Sequence, residues 1–229
     1  MKRTGGTDHF STSLTDLMTS LMVIFVLLLV TKLNNQAGQR ETAVRYILDQ
    51  LKAHTEQFHD GEKLFREGDV IVLVVPDQLM SFKQASAERG GADLSVEGRE
   101  YLGRHVPGWA HILCSPPARQ SVDTIVVEGH SDTKTFGAVD DKINKEKNLE
   151  LSQQRSMAVV VQSLTVLDQK PQERACFLEL LSATGRGDAH PINSSDPYSP
   201  QNRRVEFRIR VRPESASSVA DVTGGGVRN

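Results

Sequence analysis

Apolar and polar positions fall into three regimes along the chain. Leu14–Leu33 reads LTDLMTSLMVIFVLLLVTKL, and the stretch Leu21–Val30 is apolar without interruption. These twenty residues, at about 1.5 Å rise each, span about 30 Å, the thickness of a bilayer's hydrocarbon core, so they predict a membrane-spanning helix. The exit, Thr-Lys-Leu-Asn-Asn, offers no small-x-small cleavage site, which favours a retained span over a cleaved signal peptide. From Asn34 to Glu67 there is no proline, and Ala37, Val44, Ile47, Leu51 and Phe58 recur at helical spacing. That pattern predicts a stalk helix, either pairing with a second copy of itself or packed against a core.

The third regime alternates short apolar runs with amphipathic stretches. Val70–Val75 (VIVLVV), ended by Pro76, predicts a strand buried on both faces. An amphipathic helix follows from Ser95, with Val96, Tyr101, Leu102 and Val106 on one side, and Leu113–Gln120, holding Pro116 and Pro117, reads as a loop. Asp123–Glu128 and Phe177–Thr184 read as strands, Lys147–Leu167 as a helix, and Gly185–Pro200 as a long loop. Val205, Phe207, Ile209 and Val211 alternate with Arg204, Glu206, Arg208, Arg210 and Arg212, which predicts an antiparallel strand with one buried and one wet face. The order β-α-β-α-β-β gives an α/β sandwich over 68–212. Residues 1–13 precede the span, and the Ser/Gly-rich 213–229 reads as a disordered tail.

Composition narrows the function classes. The 229 residues carry 27 Lys+Arg against 29 Asp+Glu, a net charge of −2, with no basic run, so nucleic acid is not an expected partner. A mean hydropathy of −0.35 excludes a polytopic membrane protein but leaves room for one span. Two cysteines cannot build a disulfide-rich scaffold and lack metal-site spacing; His54 and His59 belong to no His-Glu-x-x-His pattern, so no metal is expected. His130-Ser131-Asp132 lacks the Gly-x-Ser-x-Gly turn of a hydrolase, and no enzyme activity is expected.

Two places carry candidate chemistry. Within the span, Thr12, Asp16, Thr19 and Ser20 share one helical face; a carboxylate near a bilayer centre costs about 3 kcal/mol, so Asp16 predicts an ion-binding interface. Its alternative is a helix-start position in the headgroup region. In the soluble part, Asp132 follows a strand's C-terminal end, where α/β sheets place ligand sites. Asn148, Ser152 and Arg155 lie at i, i+4 and i+7 on one helical face, and Asn202-Arg203-Arg204 opens the last strand. An acid and a guanidinium facing one cleft hold a zwitterion, the carboxylate taking an ammonium and the planar fork taking a carboxylate. A purely structural Asp132–Arg155 ion pair is the alternative.

The motifs Gly-His-Ser-Asp at 129–132, Asn-x-x-Leu-Ser-x-x-Arg at 148–155 and Asn-Arg-Arg at 202–204 resemble those of the OmpA-like peptidoglycan-binding domain. The resemblance implies that Asp132 and Arg155 clasp the diaminopimelate of the stem peptide, with Asn148, Leu151, Ser152, Asn202 and Arg203 at the site. Ser131 stands where Thr is usual, and the connection from Asp132 to Asn148 is several residues longer than the family's, with Thr135–Lys145 as the inserted segment. An Asp-bearing N-terminal span followed by this domain resembles the MotB class of motor stators. Leu-Thr-Asp-Leu-Met-Thr-Ser-Leu-Met looks closer to ZorB of Zorya anti-phage systems than to the Tyr-Ala-Asp-Phe-Met of flagellar MotB.

That likeness implies a homodimer paired with a MotA-like membrane subunit (ZorA), H⁺ or Na⁺ as the translocated ion, and no cofactor. Flanking charge leaves the span's orientation open. The resemblance implies an inner-membrane protein with residues 1–13 cytoplasmic and the domain periplasmic. Cys114 and Cys176 would then both lie outside the cytoplasm, as a disulfide or as two buried thiols.

Overall fold

The computed structural model describes residues 7–54, 61–86, 89–116, 118–133 and 140–212. The predicted span and the start of the predicted stalk are one unbroken helix, α1 (Thr7–His54). From Leu14 to Leu33 its apolar side chains are exposed, with a mean hydropathy of 2.2 in its most apolar window, long and apolar enough to cross a membrane. Higher up, Val44, Ile47 and Leu51 are buried against the sheet, so of the two readings of the stalk it is packing against a core that the structure adopts. Arg40 reaches Asp69 at 2.5 Å and Arg66 reaches Glu41 at 2.7 Å, flanking that apolar seam with ion pairs.

The stalk does not extend to Glu67. Lys63–Glu67 is instead strand β1, joined to β2 (Val70–Pro76) by the two-residue turn Gly68-Asp69, with Glu67 paired to Val70. Gly68 has φ +59°, and no non-glycine residue described has positive φ, which suits a hairpin turn with Gly at its first central position. A second hairpin, β3 (Phe82–Ser86) and β4 (Arg89–Leu94), precedes α2 (Val96–Cys114). Ser95 caps α2 by accepting from the Gly98 amide at 3.1 Å. This helix runs through Pro107 and beyond the predicted end, because Tyr101, Leu102, Val106, Trp109, Ala110 and Leu113 form one buried stripe. A short α3 (Ala118–Ser121) then leads into β5 (Val122–His130).

The inserted segment Thr135–Lys145 is partly helical. Residues 134–139 lie outside the described residues, while Asp140 caps α4 (Asp141–Val166) through the Lys142 amide at 2.9 Å. The predicted strand Phe177–Thr184 is corrected: Pro171 opens α5 (Pro171–Leu180), and only Leu181–Gly187 is strand, β6. Phe177 and Leu180, three apart, bury one helical side, and a Cys114–Cys176 disulfide (Cα–Cα 6.0 Å) ties α5 to the end of α2. The last strand, β7 (Arg204–Val211), is antiparallel to both neighbours in the order β1-β2-β7-β5-β6. All the helices pack on the face carrying Ile71, Val127, Phe207 and Ile209. The other face of β7 is not simply wet, since Arg204 and Glu206 are buried there. The predicted disordered tail, 213–229, lies outside the described residues.

Candidate functional site

The topology brings three strand ends together. β2 and β5 flank β7 and run opposite to it, so their C-terminal ends meet its N-terminal end. Asp77 follows β2, Asp132 lies two residues past β5, and Arg203 immediately precedes β7. Arg203 bridges both acids: Nη1 donates to Asp132 Oδ2 at 2.7 Å and Nε to Asp77 Oδ2 at 3.0 Å. The Asp77 amide donates back to the Arg203 carbonyl at 3.2 Å, locking the junction. Burial opposes the charge on Arg203, but its hydrogen bonds to Asp132 and Asp77 more than offset that and hold its pKa above the usual arginine value.

Arg155 enters from α4. This helix lies unusually close to the sheet: a Cβ on Gly129 would sit 2.2 Å from the Ser152 carbonyl oxygen. Only glycine permits that approach, and it presses Asn148, Ser152 and Arg155 against the β5–β6 ends. Arg155 is 7% exposed; its Nε donates to the Gly91 carbonyl at 3.0 Å and its guanidinium lies 4.8 Å from the Phe82 ring centroid. The β3–β4 hairpin therefore packs directly against Arg155. Burial lowers the Arg155 pKa, with Asp77 and Asp132 pulling it back up and Arg203 pushing it further down.

The sequence-predicted residues thus divide by role. Asp132, Arg155 and Arg203 share one cluster with Asp77, two acids against two guanidiniums; among the described residues it is Arg203, rather than Arg155, that ion-pairs with Asp132. Ser152 is fully buried, accepts from the Gly187 amide at 2.9 Å and donates to the Leu149 carbonyl at 2.8 Å, so it clamps α4 to β6. Asn202 staples the 193–197 loop, donating to the carbonyls of Asn193, Asp196 and Pro197 and accepting from the Asn193 amide. Asn148 is buried on the same face of α4, and Leu151 is half-buried. Ser131 Oγ and Thr133 Oγ1 are buried beside Asp132 without a hydrogen-bond partner among the described residues. Asp77, Phe82 and Gly91 were missed by sequence reasoning: an acid 126 positions before its guanidinium leaves no local signal.

Asp16 lies in α1 on exposed helical surface and makes no ion pair among the described residues. Nearby, Thr19 Oγ1 donates to the Thr15 carbonyl at 2.7 Å, which turns its hydroxyl back onto the helix. A hollow of about 540 Å³ between α1 and α3, lined by Asn34, Thr42, Tyr46, Ile47 and Ala118 among others, carries no charged side chain and lies apart from the cluster.

No family model and no curated relative matches the chain. Solved structures do. A putative MotB-like protein from Desulfovibrio vulgaris is 20% identical with a TM-score of 0.51, over 78% of this chain and 98% of that one. The periplasmic domain of Helicobacter pylori MotB is 20% identical (TM-score 0.48; 71% and 87% covered). The cell wall anchor of the type VI secretion system of Pseudomonas aeruginosa is 23% identical (TM-score 0.43; 73% and 96% covered). At these identities the likeness is one of fold: behind its long apolar helix the chain has an OmpA-like α/β fold.

Proposed function

We propose that this chain is the wall-anchoring, ion-carrying subunit of a membrane motor of the MotB-like class, and within that class a Zorya-type defence subunit. The observation that carries the reading is the continuity of α1: the helix bearing Asp16 also contributes Val44, Ile47 and Leu51 to the core of the domain. A charge change at Asp16 is thereby joined by an unbroken helix to a body that holds an Asp132/Arg155/Arg203 clasp. The clasp is electroneutral with Asp77, so a zwitterionic diaminopimelate centre takes over charges already paired: its ammonium goes to Asp132 and its carboxylate to a guanidinium.

In this reading Asp16 takes up H⁺ or Na⁺ at an interface with a MotA-like subunit (ZorA), and two copies of this chain share that partner. Each charge crossing the bilayer releases about 2.3 kcal/mol per 100 mV. Neutralising the acid changes how the span packs against the partner, while the periplasmic clasp on peptidoglycan keeps the body from turning. The N-terminal wording of the span favours the defence class.

The test is Asp16→Asn in the reconstituted complex. The substitution keeps the size and fixes the neutral state, so ion-driven activity is expected to vanish while insertion and partner binding survive; full activity would reduce the protein to a passive tether. A flagellar-type stator is the second reading, favoured by the MotB-like fold of the Desulfovibrio vulgaris structure. Deleting the gene separates the two: loss of swimming marks the flagellar class, and sensitivity to phage marks the defence class.

A further inference from the structure

The sheet face away from the helices holds a second charged cluster that the wall-binding reading does not use. In the β5–β7 register Glu128 stands directly opposite Glu206, a like-charge pair that is costly unless cations intervene, here Arg186 on Glu128, Arg204 on Glu206 and Arg208 near both. Both are buried, and so is His130, which is 4% exposed. Its Nε2 points between the two acids, 3.6 Å from Glu206 Oε1 and 3.8 Å from Glu128 Oε2. Neither ring nitrogen has a hydrogen-bond partner among the described residues. A buried imidazole aimed at two carboxylates without bonding to either is an unfilled polar site.

We propose that Glu128, His130 and Glu206 bind a first-row divalent cation, with Zn²⁺ the best match, and that Arg186 competes with it for Glu128. One nitrogen and two carboxylate oxygens form a donor set suited to zinc. With bond lengths of about 2.1 Å, the two N···O separations correspond to ligand–metal–ligand angles of roughly 120–130°, and the three ligand atoms lie within 4.8 Å of one another, so the two carboxylates close in on the cation as it binds.

The arginines sort into supports and a competitor. Arg204 Nε and Arg208 Nη1 hold Glu206 at 2.7 and 3.0 Å and orient it as a ligand. The Arg204 side chain is 5% exposed and cannot leave, and Arg208 is also tied to Glu67 at 2.7 Å. Arg186, which bonds Glu128 at 3.0 Å, is 46% exposed and free to swing into solvent. Exchanging it for a divalent cation raises the local charge by one unit. The cation would staple β5 to β7, a stabilising rather than a catalytic role.

The experiment uses the full chain in detergent, free of any affinity tag and stripped with chelator, titrated with Zn²⁺ by calorimetry and by thermal melting. Wild type is expected to bind one equivalent saturably and to melt several degrees higher, with Mg²⁺ ineffective at the same concentration. His130→Gln is expected to weaken Zn²⁺ binding roughly tenfold or more. Arg186→Gln, on the surface, is expected to bind more tightly than wild type, an effect that a merely structural role for these residues would not produce. Co²⁺ absorption bands of the wild-type protein report nitrogen and carboxylate ligation directly, whatever the fold of His130→Gln, and their absence overturns the proposal. Absence of a saturable equivalent overturns the proposal. So does His130→Gln binding as wild type does, or Arg186→Gln binding equally or more weakly.

Discussion

Asp16 and Asp132 are both carboxylates on which function is argued to rest, yet the chain treats them in opposite ways. Asp132 is 5% exposed and held at 2.7 Å by Arg203, with Arg155 and Asp77 in the same cluster. Asp16 stands on exposed helix surface with no ion pair among the described residues, in a segment whose apolar side chains all face outward. The difference teaches where each acid finds its partner. Within the domain the fold itself supplies the counter-charge and orients it in advance. Along α1 no described residue does, and under the proposed function the partner comes from another subunit or from an ion. α1 shows the same divide along its length: Leu27 is 59% exposed, whereas Ile47, twenty positions on, is fully buried.

The comparison breaks most severely at the paired acid. Asp132→Ala strands Arg203 and Arg155 without that counter-charge, and removing one partner of a buried, hydrogen-bonded charge pair costs about 2–5 kcal/mol, equivalent to a loss of roughly 30-fold or more in affinity. Calorimetry with a diaminopimelate-containing stem peptide measures it; an affinity within threefold of wild type would count against the clasp. The two ends of α1 give the next largest contrast. Ile47→Ala is expected to destabilise the domain by about 2–5 kcal/mol in chemical denaturation, while Leu27→Ala leaves domain unfolding unchanged. Equal effects would mean that α1 does not belong to the core.

Cys114→Ser is expected to cost about 2–4 kcal/mol by releasing α5 from α2, read from the same denaturation curves, with no effect on the span. The last contrast lies in acid. Burial, then Arg204, lowers the His130 pKa to about 3, below the 6.5 of a free imidazole, so the unfolded chain binds the proton that the folded chain refuses. Stability from this group is complete above pH 6.5 and falls as the pH drops towards 3. His130→Gln should flatten that part of the pH profile in chelator-treated protein, and an unaltered slope would show that the ring is not buried neutral.

Legibility in the sequence followed the range of the interactions. The β7 alternation, the apolar β2 and the i, i+4, i+7 face of Asn148, Ser152 and Arg155 are local patterns, and each is found as a strand or as one buried helical side. Phe177–Leu180 was misread because Phe-Leu-Glu-Leu-Leu, apolar on both sides of Glu179, fits either period; Pro171 at the helix start and the bond to Cys114 decide it. The β1–β2 turn left a signal in Glu-Gly-Asp-Val that the helical spacing upstream obscured. Arg203 carried a motif, but its link to Asp77 is a property of strand order and invisible in one dimension. The wet face expected of β7 failed for the same reason: its neighbours bring Glu128, His130 and Arg186 to bear on Arg204 and Glu206, and those charges cover one another.

The central claim is that wall binding belongs to the clasp and ion coupling to the span, as separable functions of one chain. Co-sedimentation of the full-length protein with purified peptidoglycan tests it most directly, comparing wild type, Asp16→Asn and Arg155→Ala in one assay. Wild type and Asp16→Asn should pellet equally and Arg155→Ala should stay in solution; pelleting of Arg155→Ala at the wild-type level would contradict the account.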